Sequence, residues 1–323
     1  MKRSGFIMLS ILTLVLVFSL CACNTLGNGG DETQAVYYTV KFDDGTTVTE
    51  FTVLENTTVA APAEPVRDGF IFDKWTCDGK AWRADKKVTS DMTVIANWVD
   101  AKNVYDRRSD GDGGVFITGV KSEYTTMKIP SFIDGVKVVG IDDEVFRDIT
   151  SETVKSIIVP ETVTYIGNNA FNGCSGINIE VNGALTFIGE CAFNDCDMLT
   201  KVSFGEGLVT IPPEAFSGCI SLKELRLPAS LSIIDENAFE DCKGIVSIVL
   251  HESITAIGDG AFFSCTSLKT LYLYGDEQSL SKMQIAEMND ALTDARVYYH
   301  ASEKPETEGS FWYFDSNGRI KLW

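Results

Sequence analysis

Five cysteines, Cys174, Cys196, Cys219, Cys242 and Cys265, follow one another at intervals of 22, 23, 23 and 23 residues. They belong to a larger pattern. Six phenylalanines, Phe146, Phe171, Phe193, Phe216, Phe239 and Phe262, keep the same period after a first interval of 25, and five residues before each stands Ile141, Ile166, Ile188, Ile211, Ile234 or Ile257. Ala170, Ala192, Ala215, Ala238 and Ala261 immediately precede the last five, with Val145 in the first unit. After the cysteines come apolar runs at strand spacing, such as Leu222, Leu225 and Leu227, then Ile245, Ile248 and Leu250, then Leu268, Leu271 and Leu273; Val154, Ile157 and Val159 form an earlier copy, and Tyr124, Met127 and Ile129 an incomplete first one. Pro130, Pro160 and Pro228 follow three of these runs, where a strand must stop. A unit this short cannot bury its own apolar face, but stacked units can, because each column then meets itself in the next coil. Strands pair about 4.8 Å apart, so six or seven rungs predict a solenoid roughly 30 Å long.

The period lies in the leucine-rich-repeat range. The Phe and Ile columns are expected to fill the interior, and the cysteine column to be small, apolar and buried. Rung spacing also brings neighbouring sulfurs within the range of disulfide geometry. Buried thiols are the expected state, since pairing would break the equivalence of the five positions. The alternate strand positions point outward and form the candidate binding face: Thr126 and Lys128, Ser156 and Ile158, Asn178 and Glu180, Lys201 and Ser203, Glu224 and Arg226, Ser247 and Val249, Thr270 and Tyr272. That ladder carries no stripe of one charge sign, and a generic solvated sheet is the competing reading.

The run "LSIIDENAFEDCKGIVSIVL" resembles the BspA-type leucine-rich repeat of bacterial surface proteins, and "FITGVKSEYTTMKIPSFIDGVKVVGIDDEVF" resembles the way arrays of that family begin. The resemblance covers residues 114–275. It implies a leucine-rich-repeat fold, a place outside the cell, and a role in adhesion or matrix binding. Departures are local: Ile149 stands where cysteine is expected, the unit after Cys174 is one residue short, and the glycine at 167, 189 and 258 becomes Pro212 and Asp235 in two units.

The first residues read as a targeting segment. A basic Met1-Lys2-Arg3 precedes an apolar stretch, and Leu20-Cys21-Ala22-Cys23 resembles the lipobox of bacterial lipoproteins. It implies a signal peptide over 1–22, cleavage before Cys23, and lipid on its sulfur; two acyl chains hold a protein to a bilayer where one only lingers. Plain secretion and an uncleaved anchor are the alternatives. Residues 23–35 read as a flexible tether. Residues 36–100 alternate polar and apolar around Asp44-Gly45, as a hairpin does. Gly69, Phe70, Phe72, Trp75 and Trp98 give this stretch a resemblance to the Listeria–Bacteroides repeat, a small β-grasp-like module, although its tryptophans serve equally as an ordinary core. Residues 101–113 read as a linker whose "SDGDGG" is a turn, since an EF-hand's further acidic positions are missing. After residue 275 the period is lost. Residues 281–295 read as a short helix, "ARVYYH" as a strand, and "EGSFWYFDSNGRIKLW" as an aromatic end with a turn at 316–318. Residues 276–323 are therefore expected to cap the solenoid, with Trp312, Tyr313 and Trp323 as an alternative stacking platform for sugars.

The expected fold is mainly β: a leucine-rich-repeat solenoid preceded by a small β-grasp-like domain and closed by an aromatic-rich C-terminal cap. A formal charge of −19 argues against nucleic acid and against direct contact with an anionic membrane surface. Only His251 and His300 supply imidazole, neither next to a nucleophile in sequence, and no phosphate loop, zinc spacing or dinucleotide fingerprint occurs. No catalytic residue, metal site or cofactor is expected. The reading is a non-enzymatic, monomeric protein at the bacterial cell surface, held to the membrane by its lipid alone, with an extracellular protein or glycan as partner. The alternative is an accessory structural protein of the envelope whose partner comes from the same cell.

Overall fold

The computed structural model describes residues 35–323 except 307 and 308. Cys23, the signal segment and all but the end of the tether lie outside the described residues. The chain divides into two compact units between Val99 and Asp100.

The first unit is a five-stranded sheet of β1 (Tyr37–Asp43), β2 (Val48–Leu54), β3 (Phe70–Cys77), β4 (Lys80–Ala81) and β5 (Met92–Asp100), in the order β2-β1-β5-β3-β4. β1 and β2 form the expected antiparallel hairpin, while β1 and β5 run parallel at the centre. Asp44 makes the hairpin turn: its carboxylate accepts the amide and hydroxyl of both Thr46 and Thr47, and Gly45 takes φ +87°. Alternation along the strands sends Val40, Phe42, Val53, Trp75, Val94 and Ala96 into one core. Phe42 meets Phe51, Trp75 and Trp82 edge-on at 5.2–5.8 Å, the arrangement the ring quadrupole favours. Trp98 donates its indole N–H to Asp44 O and so ties β5 to the hairpin turn. No helix occurs among the described residues of this unit.

The second unit is the solenoid. Its first sheet contains the strands of the apolar runs, Thr126–Lys128, Ser156–Val159 and Asn178–Val181, then Glu224–Arg226, Ser247–His251 and Thr270–Tyr274, with Arg296–His300 added beyond them. Its second sheet contains the strands ending at the isoleucine column: Val136–Ile141, Tyr165–Ile166 and Phe187–Ile188, then Thr210–Ile211, Ile233–Ile234, Ala256–Ile257 and Gln284–Ile285. Both sheets pair in parallel from rung to rung.

Three expectations about boundaries change. Residues 101–113 are more than a linker: Ala101–Asn103 is a 3-10 turn, and Tyr105–Ser109 pairs antiparallel with Gly114–Val120 at the edge of the second sheet. Ala101, Val104 and Tyr105 there are fully buried. "SDGDGG" is the turn of that hairpin, with the Asp110 carboxylate accepting the amides of Asp112 and Gly114 at 2.8 Å. At the other end, residues 281–295 do not form one helix. Asp276 and Ser279 cap α1 (Glu277–Lys282), Gln284–Ile285 extends the second sheet, and α2 (Asp290–Thr293) leads into Arg296–His300, which extends the first. The stacking thus continues one rung beyond residue 275, with a longer loop than the period predicted.

The third side of each rung is a spine built around the phenylalanine. Consecutive rings from Phe146 to Phe262 stack face to face at 5.1–5.4 Å. Each Phe N–H donates to the Ala C=O of the next rung at 2.8–2.9 Å, and each column cysteine donates its Sγ–H to the Phe C=O of the rung before at 3.0–3.2 Å. The residues two before and two after the phenylalanine have positive φ in every rung: 144 and 148, 169 and 173, 191 and 195, 214 and 218, 237 and 241, 260 and 264. Asn, Asp and Gly fill most of these positions because they tolerate that region best. All five column thiols are free and buried. Burial raises Cys196, Cys219 and Cys242 far above the ordinary thiol range and pushes Cys174 and Cys265 up to about 12.

Both sheets break at the same place. The first is interrupted between Asn178–Val181 and Glu224–Arg226, the second between Phe187–Ile188 and Thr210–Ile211. The second break has a covalent cause. The residue after the isoleucine, Gly167, Gly189, Asp235, Gly258 or Ala286, donates its N–H to the isoleucine C=O of the preceding rung at 2.8–2.9 Å. Between these two rungs that residue is Pro212, which has no N–H to give. In the first sheet the register shifts one strand after the short unit, whose own strand, Asn178–Val181, still pairs in line with Ser156–Val159. Ser203–Phe204 pairs with Ala184–Leu185 instead of with Asn178–Val181. Val202 and Phe204, inward positions elsewhere buried, are left half-exposed.

Candidate functional site

The outward face of the first sheet divides into three parts. In the first, parallel pairing places Lys128, Ile158 and Glu180 in one row and Ser156 and Asn178 in another. Val159, Ile157 and Ile179 point inward and are buried, so alternation leaves this row facing solvent. Asn178 donates its side-chain amide to Glu180 at 3.3 Å. The row is a cation, an aliphatic side chain and a carboxylate, open and mixed in character.

In the second part, Lys201 lies outside any strand and is exposed, while Ser203 sits in the displaced pair with Ala184. These two are not in line with the first row, because their strand pairs with Ala184–Leu185 and not with Asn178–Val181. The expected ladder is therefore discontinuous.

In the third part, the chain covers its own face. Phe311–Phe314 and Ile320–Leu322 form an antiparallel hairpin beyond Arg296–His300. Its turn does not point away: Arg226, four strands along the sheet, donates from Nη1 to Gly318 O at 2.9 Å and sets its guanidinium 5.3 Å from the Phe314 ring. Trp312 is wholly buried, with its ring edge-on to Tyr272, Tyr274 and His300 at 4.9–5.5 Å and its indole N–H on Leu273 O. Val249, an outward position, is only 3% exposed. Val249 is thus withdrawn from the surface, while Arg226 stays exposed and Tyr272 half-exposed, each engaged by the last hairpin. Ser247 and Thr270, at the far ends of their strands, remain half-exposed. Glu224 has its backbone in the same sheet, and its side chain is outside what is described.

The aromatic end is accounted for in the same way. Trp312 is core, and Tyr313 and Trp323 stack on each other at 4.0 Å, with the Trp323 N–H on Ala301 O. The open end of the spine is closed by a residue the sequence did not single out. Phe262 N–H has no following alanine carbonyl to meet, and Asn289 Oδ1 accepts it at 3.0 Å. The same side-chain amide donates to Gly258 O, Ala286 O and Glu287 O, and the residue is 2% exposed. It lies outside every column, so periodicity could not find it.

Histidine does no visible acid–base work. His251, Tyr274 and His300 form a ladder with centroids 4.2 and 4.5 Å apart, and burial lowers the pKa of both imidazoles. Among the described residues, no three His, Cys, Asp or Glu side chains converge as metal ligands, and no helix is long and apolar enough to cross a membrane. Cys191 stands apart from the cysteine column, half-buried at a left-handed turn position with φ +53°, its Sγ 3.7 Å from Glu214.

Known proteins with these features are bacterial repeat proteins. Residues 139–269 and 186–291 match the BspA type leucine rich repeat region, in six copies, and residues 38–97 match the Listeria-Bacteroides repeat domain. Comparison with curated proteins found no match. Among solved structures, the Treponema pallidum leucine rich repeat protein is 27% identical over 54% of this chain and 71% of its own, with a TM-score of 0.37. A leucine rich cell surface protein from Faecalibacterium prausnitzii is 24% identical over 68% of this chain and 59% of its own, with a TM-score of 0.42. A leucine-rich-repeat protein from Bacteroides ovatus is 20% identical over 60% and 69%, with a TM-score of 0.28. The chain is a BspA-type leucine-rich-repeat protein with a Listeria–Bacteroides repeat domain before the array.

Proposed function

We propose that this BspA-type repeat protein is a non-enzymatic recognition protein of the bacterial cell surface, anchored by lipid on Cys23. It adheres to an extracellular protein or glycan through the open part of its first sheet. The observation that supports this most is the row Lys128, Ile158 and Glu180, which the fold leaves facing solvent and in register, while Ser203 is displaced, Val249 is buried and Arg226 is tied to the last hairpin. Solenoids offer wide, shallow surfaces of this kind to macromolecules, and a row with both charge signs and an aliphatic centre suits a polar macromolecular surface. The six-copy family match adds weight, since repeats of this type belong to surface proteins.

The test is binding of the soluble chain, residues 24–323, to an array of matrix proteins, mucins and glycans. Ile158→Asp should weaken saturable binding at least tenfold while the thermal midpoint stays within a few degrees. Absence of saturable binding to every surface removes the adhesion reading. A stoichiometric partner that co-purifies from the organism's own membranes would replace it with the accessory role. Labelling of the full chain by radioactive palmitate, lost in Cys23→Ser, checks the anchor.

A further inference from the structure

We propose that the gap in the second sheet between the Phe187 and Thr210 rungs is a seat for one pyranose ring of a glycan. This deepens the recognition function proposed above and rests on it. The outward position just before the isoleucine carries a short aromatic ladder. Phe116 lies edge-on to Tyr165 at 5.0 Å, and Tyr165 stacks on Phe187 at 4.3 Å with the rings 4° from parallel. The next rung places Thr210 at that position, too short to continue the stack. The far face of Phe187 is therefore uncovered, and the ring is 44% exposed.

The missing rung-to-rung bonds surround that bare ring face with polar groups. No described residue donates a hydrogen bond to Thr186 O or Ile188 O, the second because Pro212 stands where the donor would be. Glu190 is exposed at the rim, its own amide held by Asn168 Oδ1 at 2.9 Å. The space is about 400 Å³. Spine rings at this boundary remain 5.3 Å apart, as elsewhere, so the rungs have not parted enough to admit another strand, which would add about 4.8 Å. A single ring continuing the ladder fits.

The chemistry selects a sugar over an aromatic side chain. A pyranose sets its C–H face on the phenyl ring while its hydroxyls radiate at the edge, as donors to the two carbonyls and the carboxylate and as partners for the Thr210 hydroxyl. A phenyl or indole would displace water from the same acceptors and leave them unpaired, which costs free energy.

The experiment follows the ¹⁵N-labelled chain, residues 24–323, by amide chemical shifts. It is titrated with methyl β-galactopyranoside, methyl β-glucopyranoside, methyl α-mannopyranoside and N-acetylphenylalanine amide. At least one pyranoside should shift the amides of residues 186–190 and 209–211 saturably. Phe187→Ala should weaken that response at least tenfold. Thr210→Phe should do so too, because it completes the ladder within the chain, with the circular dichroism spectrum unchanged. The proposal is overturned if no pyranoside moves these amides, if Phe187→Ala leaves the affinity unaltered, or if only the phenylalanine amide binds, which makes the gap a peptide site. Silence here with array binding that Ile158→Asp still abolishes would remove the gap and leave the surface function standing. Silence in both would remove both.

Discussion

Along the phenylalanine spine every rung bonds to the next; along the two sheets bonding stops once, and at the same level. The difference lies in what each side uses to hold its register. The spine uses a ring that stacks in every rung, with, in all but the first, an alanine that leaves room and a thiol that reaches back to the preceding carbonyl. The sheets use backbone bonds, and one proline or one displaced pairing removes them locally. A rung can therefore lose its sheet contacts and still be carried in place by the spine.

The largest expected effect comes from breaking the spine at that level. Phe216→Ala removes a fully buried ring with a partner on each face, and should cost about 3–5 kcal/mol, read as a lower urea midpoint for the second unit. Phe204→Ala, on the interrupted side, removes a half-exposed ring and should cost less than half as much. If the two cost the same, the spine is not the dominant support.

Raising the pH should act on the spine through its thiols, and above pH 10 on the buried phenol of Tyr105 as well. The column thiols ionise at higher pH in the folded chain than in the unfolded one, so the unfolded state sheds protons first above pH 9. Stability is complete below pH 9 and falls from there towards pH 12, by about 1.4 kcal/mol per pH unit for each thiol. Melting scans in mild denaturant between pH 8 and 10.5 check this, and Cys219→Ala should make the slope shallower. Alkylation of the native protein should modify Cys191 ahead of the five column cysteines.

The smallest effect should come from repairing the sheet. Pro212→Ala restores the missing N–H, with a hydrogen bond worth about 1 kcal/mol set against a similar loss of chain stiffness. Stability should barely move, yet the new amide at 212 should exchange slowly with deuterium. A fast-exchanging amide would mean that something other than proline keeps the rungs apart.

The columns made most of this fold legible before any coordinates: Phe, Ile and Cys repeat because each is buried against its own copies. The positive-φ pairs were legible too, in the Asn, Asp and Gly that flank each phenylalanine, although the columns drew attention first. What the sequence concealed depends on single residues outside any period. Pro212 was visible as a departure, but its consequence for the second sheet requires knowing which bond that residue would have made, and the displaced pairing of Ser203–Phe204 leaves no mark in the spacing. Arg226 and Val249 sit at regular outward positions, yet Val249 is buried and Arg226, though exposed, is tied to the last hairpin, whose tertiary path no period predicts. Of the candidate face, the row from Lys128 to Glu180 is as the period placed it; the rest was decided by contacts too distant in sequence for a pattern to carry.

Asn289 has one more implication. At the spine, N–H groups point towards the later rung and C=O groups towards the earlier one, rung after rung. Peptide dipoles aligned head to tail add up, as they do along an α-helix. The spine is therefore electrically polar, with a positive pole at its C-terminal end. The buried amide oxygen of Asn289 rests on that pole, and nothing equivalent is needed at the other end, where carbonyls face outward and water alone can satisfy them.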